Sequence, residues 1–235
     1  MEKLPIIALD FTGEETKTFL KQFDEQLFVK VGMELFYESG PSIVKEIKMM
    51  GHKIFLDLKL HDIPTTVQKA MTQLAALDVD LVNVHAAGGL NMMKAAVKGL
   101  DEGAVNGKRP EIIAVTQLTS TSENQMQNDQ QIHSTLIQSV LHYASLAKQA
   151  GLDGVVCAAT DCRHLIGELG SDFKYITPGI RPNGTDTNDQ VRTATPAEAA
   201  QLGASAIVVG RAITGSEDPV KSYQQIKTEW SGTDE

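Results

Sequence analysis

Short runs rich in β-branched residues alternate eight times with longer stretches of helical periodicity, and that alternation leaves the chain very few possible folds. The runs are Ile6–Asp10, Leu27–Val31, Ile54–Lys59, Leu81–His85, Ile112–Thr116, Gly154–Cys157, Tyr175–Thr177 and Ala206–Val209. Several are apolar on both faces, as parallel strands covered on both sides must be. In Pro64–Leu77, Val67, Ala70, Met71, Leu74 and Leu77 recur at helical spacing and would face a sheet. Leu90–Leu100, Ile132–Ala150 and Pro219–Trp230 are further predicted helices. Start and stop signals agree with this reading. Thr195-Pro196-Ala197-Glu198 is a capping box with proline at the first helical position, and Gly203 is a stop. Asp218-Pro219 opens the last helix in a similar way, and Gly151 ends the one before the sixth strand. Eight β-then-α units predict an α/β fold, a (β/α)8 TIM barrel forming a single domain over residues 1–235, frayed at 231–235. Periodicity does not establish closure, so an open doubly wound sheet is the alternative.

With 42% hydrophobic and 22% charged residues the composition is that of a globular protein, and no apolar run approaches the roughly 20 residues that span a bilayer. A net charge of −9 argues against nucleic-acid or anionic-membrane partners. It leaves room for a small anionic ligand, because a few Lys and Arg can make one pocket positive. Met1-Glu-Lys-Leu-Pro-Ile-Ile7 runs directly into a strand without a signal-peptide pattern, and Cys157 and Cys162 are the only cysteines. Both features fit a reducing cytoplasm. The six histidines show no metal-ligand spacing, so no metal is expected. Two long polar loops, Ser120–Gln131 and Gly179–Thr195, both follow strands and would stand at the catalytic rim of a barrel.

Charge interrupts the third strand. In Phe55-Leu-Asp-Leu-Lys-Leu-His-Asp-Ile-Pro64, alternation puts Asp57 and Lys59 on one face and Leu56, Leu58 and Leu60 on the other, with Asp62 just beyond. Buried charge is costly unless paired, and an opposite charge nearby favours the ammonium form of a lysine. A lysine held among carboxylates is therefore a proton donor rather than a nucleophile. A strand-end salt bridge of purely structural value is the plainer reading. Other strand ends are polar too: Asp10, Lys30, His85, Thr116 and, after the eighth strand, Arg211. His85 reads as a rim histidine with its hydrogen bonds satisfied rather than as a proton carrier. In Val208-Val-Gly-Arg211, Gly210 would let backbone N–H groups approach an anion that Arg211 clamps, and Thr177-Pro-Gly-Ile-Arg181 adds a second arginine. Together they favour a phosphorylated ligand.

These blocks resemble the orotidine 5′-phosphate decarboxylases of the bacterial type. The segment Asp57-Leu-Lys-Leu-His-Asp-Ile-Pro-Thr-Thr66 is similar to the family signature. Phe28-Val-Lys-Val-Gly-Met-Glu-Leu-Phe36, Val82-Asn-Val-His-Ala-Ala-Gly-Gly89, Val115-Thr-Gln-Leu-Thr-Ser120 and the two arginine-bearing segments also correspond, so the likeness runs from Ile6 to about Trp230. The resemblance implies a homodimer of barrels that converts orotidine 5′-phosphate to uridine 5′-phosphate and carbon dioxide, the last step of de novo UMP synthesis. It implies that Asp10 and Lys30 hold the ribose hydroxyls. It makes Asp57, Lys59 and Asp62 the charged array, with Lys59 as proton donor, and has Asp62 and Thr66 serve the neighbouring subunit's site. Thr119 matches the pyrimidine-recognition position, and Arg181, Gln190, Gly210 and Arg211 match the phosphate set, with Gln190 bridging phosphate and base. No cofactor motif accompanies them, so electrostatics from the chain itself is the expected source of carbanion stabilisation. The nearest rival is a related barrel enzyme acting on a sugar phosphate with Mg²⁺, which shares the Asp-x-Lys-x-x-Asp core. A non-catalytic phosphate-ligand sensor on the same scaffold is a rival of another kind.

Overall fold

A computed structural model describes residues 4–182 and 192–232, in which eight parallel strands close into a barrel. They are β1 (Ile6–Leu9), β2 (Phe28–Gly32), β3 (Lys53–Leu60), β4 (Leu81–His85), β5 (Glu111–Val115), β6 (Gly154–Val156), β7 (Lys174–Thr177) and β8 (Ala206–Val209). All eight predicted runs are strands, with ends displaced by a residue or so. Pairing of Ile6 with Val208 and of Ile7 with Val209 joins β1 to β8 and rules out the open sheet.

Strand alternation divides the core into two layers. Ile6, Phe55, Leu81, Ile113, Ile176 and Val208 fill the barrel, while Val29, Val31, Leu56, Val82 and Ile112 face the surrounding helices. Between β3 and β4 the helix Pro64–Ala75 buries Val67, Met71 and Leu74, the face its spacing predicts. It ends earlier than its periodicity implies, because the chain turns through Asp78 at φ +55, and Leu77 packs on the core from beyond the helix. The next helix, Gly89–Gly103, lies unusually close to it. A Cβ on Gly99 would sit 2.2 Å from the Gln68 carbonyl oxygen, and one on Gly103 would sit 2.3 Å from that of Thr72. This close approach fixes the helix whose first turn carries Thr66.

Of the two long polar loops, the first is less irregular than its composition implies. It contains a helix, Glu123–Asp129, because Ser122 accepts the Gln125 N–H at 3.1 Å and caps it. The second is closed at its root by pairing of Ile180 with Ala194, and Thr195 and Glu198 form the predicted capping box for the helix Pro196–Gln201. Among the described residues no helix is long and apolar enough to cross a membrane.

Candidate active site

Lys30 of β2, Asp57 and Lys59 of β3 and Asn83 of β4 meet inside the C-terminal mouth of the barrel. Lys30 comes inward because it alternates with the outward-facing, buried Val29 and Val31. Asp57 Oδ1 lies 2.8 Å from Lys59 Nζ, and its Oδ2 lies 3.3 Å from Lys30 Nζ. The arrangement inverts the sequence picture of one lysine between carboxylates, since here one carboxylate lies between two lysines. Asp62 is exposed, its carboxylate accepting the Ile63 N–H at 2.7 Å, and it forms no ion pair with Lys59 within the chain. Thr66 is exposed as well. The cluster within one chain is therefore net cationic, which suits an anionic ligand.

Regular alternation also fails at Lys59. Leu56 pairs with Val82 and Leu60 with Val84, so β3 advances four residues while β4 advances two. The resulting bulge places Lys59 at φ +52, a left-handed conformation that costs a residue with a side chain about 1–2 kcal/mol. Leu58 and Leu60 still pack on the outer core, so the bulge re-aims Lys59 without unseating the strand. Asn83 lies opposite it. Its Oδ1 accepts the Lys59 N–H at 2.8 Å and its Nδ2 donates to Asp57 Oδ1 at 2.6 Å.

Burial pushes the Asp57 carboxyl up, but the Lys30 and Lys59 ammoniums, with hydrogen bonds from Lys59 and Asn83, outweigh it and hold the group below the usual carboxylate range. It is ionised at neutral pH. Burial, reinforced by His61 and the Lys59 ammonium, holds His85 below the ordinary imidazole range, so its ring is neutral at pH 7. The rings of His61 and His85 lie 5.7 Å apart.

Beside the charges opens a cavity of about 220 Å³. Lys30, Asp57 and Lys59 form its polar wall, Phe55, Ile176 and Val208 its apolar floor, and Thr119 and Ser120 the side nearest β5. One polar wall facing an apolar bed suits a flat heterocycle carrying a charged substituent. Asp10, Gly210 and Arg211 stand together where β1 and β8 end. A Cβ on Gly210 would lie 3.6 Å from Asp10 Oδ2, an ordinary contact. Gly210 caps the short helix Arg211–Thr214, and Arg211 is exposed. Arg181, half-buried, donates from Nη1 to the Ile180 carbonyl at 2.9 Å. Gln190 lies outside the described residues.

Three residues escaped the sequence reading. Asn83 is an inward polar residue in an otherwise apolar strand, a signal that was available in Leu81-Val-Asn-Val-His85. Gln117 lines the cavity and donates to Gln130 Oε1 and Ser139 Oγ, each at 3.0 Å, tying the Thr119 segment to the end of the helix Glu123–Asp129 and to the helix Leu136–Gln149. Arg192 reaches Asp161 at 2.7 Å and the Leu118 carbonyl at 3.3 Å, which joins the roots of both long loops. Neither glutamine nor arginine in a polar loop carries a local signal of such a role.

Residues 3–226 match the orotidine 5′-phosphate decarboxylase / HUMPS family. The chain belongs to that family. A Staphylococcus haemolyticus protein named orotidine 5′-phosphate decarboxylase is 60% identical over 233 residues, covering 99% of this chain and all of the relative. A Listeria monocytogenes protein of the same name is 58% identical, covering 97% of this chain and 98% of its own length. Among solved structures, orotidine 5′-phosphate decarboxylase from Lactobacillus acidophilus superposes with a TM-score of 0.88 at 42% identity, over 97% of this chain and 99% of that one. All eight strands and the charged cluster fall within the residues matched to the orotidine 5′-phosphate decarboxylase / HUMPS family.

Proposed function

We propose that this protein decarboxylates orotidine 5′-phosphate to uridine 5′-phosphate and carbon dioxide, closing de novo UMP synthesis. The observation that carries the reading is the Lys30–Asp57–Lys59 cluster beside a cavity sized for a heterocycle, in a chain 60% identical to a relative that bears the decarboxylase name. Departure of carbon dioxide leaves an electron pair in an sp² orbital at the pyrimidine C6, in the ring plane, where the ring π-system has little overlap with it. The stabilisation then has to come from charge fixed in advance around C6. Lys59 supplies it: its ammonium stands beside C6 as the carbon–carbon bond breaks and then delivers a proton to that carbon. Asp57 anchors the ammonium, and Lys30 anchors Asp57 from the other side while it and Asp10 take the ribose hydroxyls.

Thr119 meets the base, while Arg181, Gln190, Gly210 and Arg211 take the phosphate. The phosphate stays intact, so its binding energy is free to position the distant ring. The enzyme is a cytoplasmic homodimer in this reading. Asp62 and Thr66 complete the neighbouring site, and Asp62 of the partner subunit offsets the cationic excess of a single chain.

The test is incubation of chelator-treated protein with orotidine 5′-phosphate, following ultraviolet absorbance and carbon dioxide release. Turnover unchanged by the chelator is expected. Turnover that vanishes and returns only with Mg²⁺ would favour the sugar-phosphate branch of chemistry, and absence of turnover under both conditions would sink the assignment.

A further inference from the structure

We propose that Asn83 is a positioning residue for the decarboxylation, its carboxamide holding the β3 bulge and the Asp57 carboxylate in the single arrangement that presents Lys59 Nζ to the cavity. The inference rests on the function proposed above and adds a residue to its machinery. The bulge removes the Lys59 N–H from the regular β3–β4 ladder, and a buried N–H left without an acceptor is costly. Asn83 Oδ1 supplies that acceptor at 2.8 Å. On its other side Asp57, itself only 7% exposed, needs a donor, and Asn83 Nδ2 supplies one at 2.6 Å. The two partners dictate the amide's orientation, because a backbone N–H only donates and a carboxylate only accepts.

Asn83 is only 1% exposed, so its amide is shielded from bulk water. An amide is also the one neutral side chain of this length with a donor and an acceptor at its two tips. A leucine of similar size would leave both partners unmet, and serine is too short to reach both. Lys59 Nζ sits 2.8 Å from the same Asp57 oxygen that Asn83 holds. The amide thus acts on Lys59 twice, through its backbone and through its counter-ion.

The test compares N83A and N83D with wild-type protein in decarboxylation of orotidine 5′-phosphate between about pH 5 and 8. Other charged or titratable groups around the position are Lys30 of β2, Asp57 and Lys59 of β3, and His85 and His61 at the rim, while β5 presents Ile113 and Val115 there. N83A is expected to lower kcat about a hundredfold while KM changes less than about threefold, because positioning of the reacting group is lost and the contacts to ribose and phosphate remain. N83D keeps the shape but puts a second carboxylate against Asp57. Repulsion raises the proton affinity of the pair, and a protonated carboxyl can again accept from Lys59 N–H and donate to Asp57. Its activity relative to wild type should therefore rise at least about tenfold as pH falls from 8 to 5. Should N83A fail to fold, N83D decides alone. Variants within about twofold of wild-type kcat, or an N83D-to-wild-type ratio flat across pH, would overturn the proposal.

Hydrogen exchange of the Lys59 amide in wild-type protein gives a reading independent of turnover. Strong protection is expected, and rapid exchange overturns the proposal even if the enzyme is active. A wild-type protein that does not turn over orotidine 5′-phosphate but protects that amide would defeat the functional reading and leave the brace standing.

Discussion

At the N-terminal end of the barrel Asp153 accepts the Ile112 N–H and a guanidinium hydrogen of Arg109, each at 2.8 Å, whereas at the C-terminal end Asp57 is shared by two ammoniums and takes no backbone N–H. The lower pattern repeats around the ring. Asp80 accepts from Ile54 N–H at 2.8 Å and pairs with Lys48, the Ser205 hydroxyl accepts from Tyr175 N–H at 2.9 Å, and His52 Nδ1 accepts from Leu27 N–H at 3.1 Å. Each of these side chains stands just before one strand and satisfies an N–H at the start of the strand before it. Each of these four side chains takes a backbone N–H as its hydrogen-bond donor. At the upper end the cations outnumber the carboxylate and the backbone is bent away from its preferred conformation at Lys59. Similar residue types thus hold the barrel together at one end and leave charge uncompensated at the other, the division between stability and chemistry that barrels of this kind show.

Experiments can break that division at either end. The largest effect belongs to Lys59: K59A should lower kcat by more than about a thousandfold while the melting temperature stays near that of wild type. Retention of turnover, or collapse of the fold, would dissolve the contrast. The upper end should also be incomplete in one chain. Mixing inactive K59A and D62A proteins and letting the subunits exchange should restore about a quarter of the wild-type rate, since random pairing makes half the dimers mixed and leaves each of those one intact site. No restoration would mean that Lys59 and Asp62 serve the same chain's site.

A smaller change is expected below. D153A leaves the Ile112 N–H without its acceptor and removes the two-point partner of Arg109, which keeps only Asp101 and the Pro110 carbonyl, and should cost about 2 kcal/mol, a fall in Tm on the order of 4–8 °C, with kcat per folded molecule unchanged. Calorimetry and steady-state assays on the same preparation check both halves. The smallest concerns His52, whose pKa burial lowers. Its contribution to stability is full above the unfolded-state pKa of about 6.5 and is lost as pH falls through the lower folded value. H52N keeps an acceptor that does not titrate, so between pH 7 and 5 its Tm should fall about 1–3 °C less than that of wild type. Parallel curves would show that His52 is not the titrating group.

Much of the rim was legible in advance because strand ends are local features. Asp10, Lys30, Asp57, Lys59, His85 and Arg211 follow or end apolar runs, and counting along a strand puts Lys30 and Asp57 inside the barrel without reference to any partner. The first long loop was misread as irregular because Glu123–Asp129 is polar except for the buried Met126, too little for a helical period, and only its Ser122 cap marks it as a helix. Alternation also mispredicted the conformation at Lys59, since nothing in Leu56-Asp-Leu-Lys-Leu60 announces two extra residues against β4.

The sequence by itself determined the eight strands, most of their helices and the polarity of the rim, because periodicity, caps and turn residues act over a few neighbours. Closure of β1 on β8, the bulge at Lys59 and the roles of Asn83 and Arg192 were decided only in the tertiary structure. The Lys59 N–H and its acceptor are 24 residues apart, Asp57 and its amide donor 26, and Arg192 and Asp161 31. Contacts at such separations exist only once strands and loops distant in the chain are held side by side, so no local pattern encodes them.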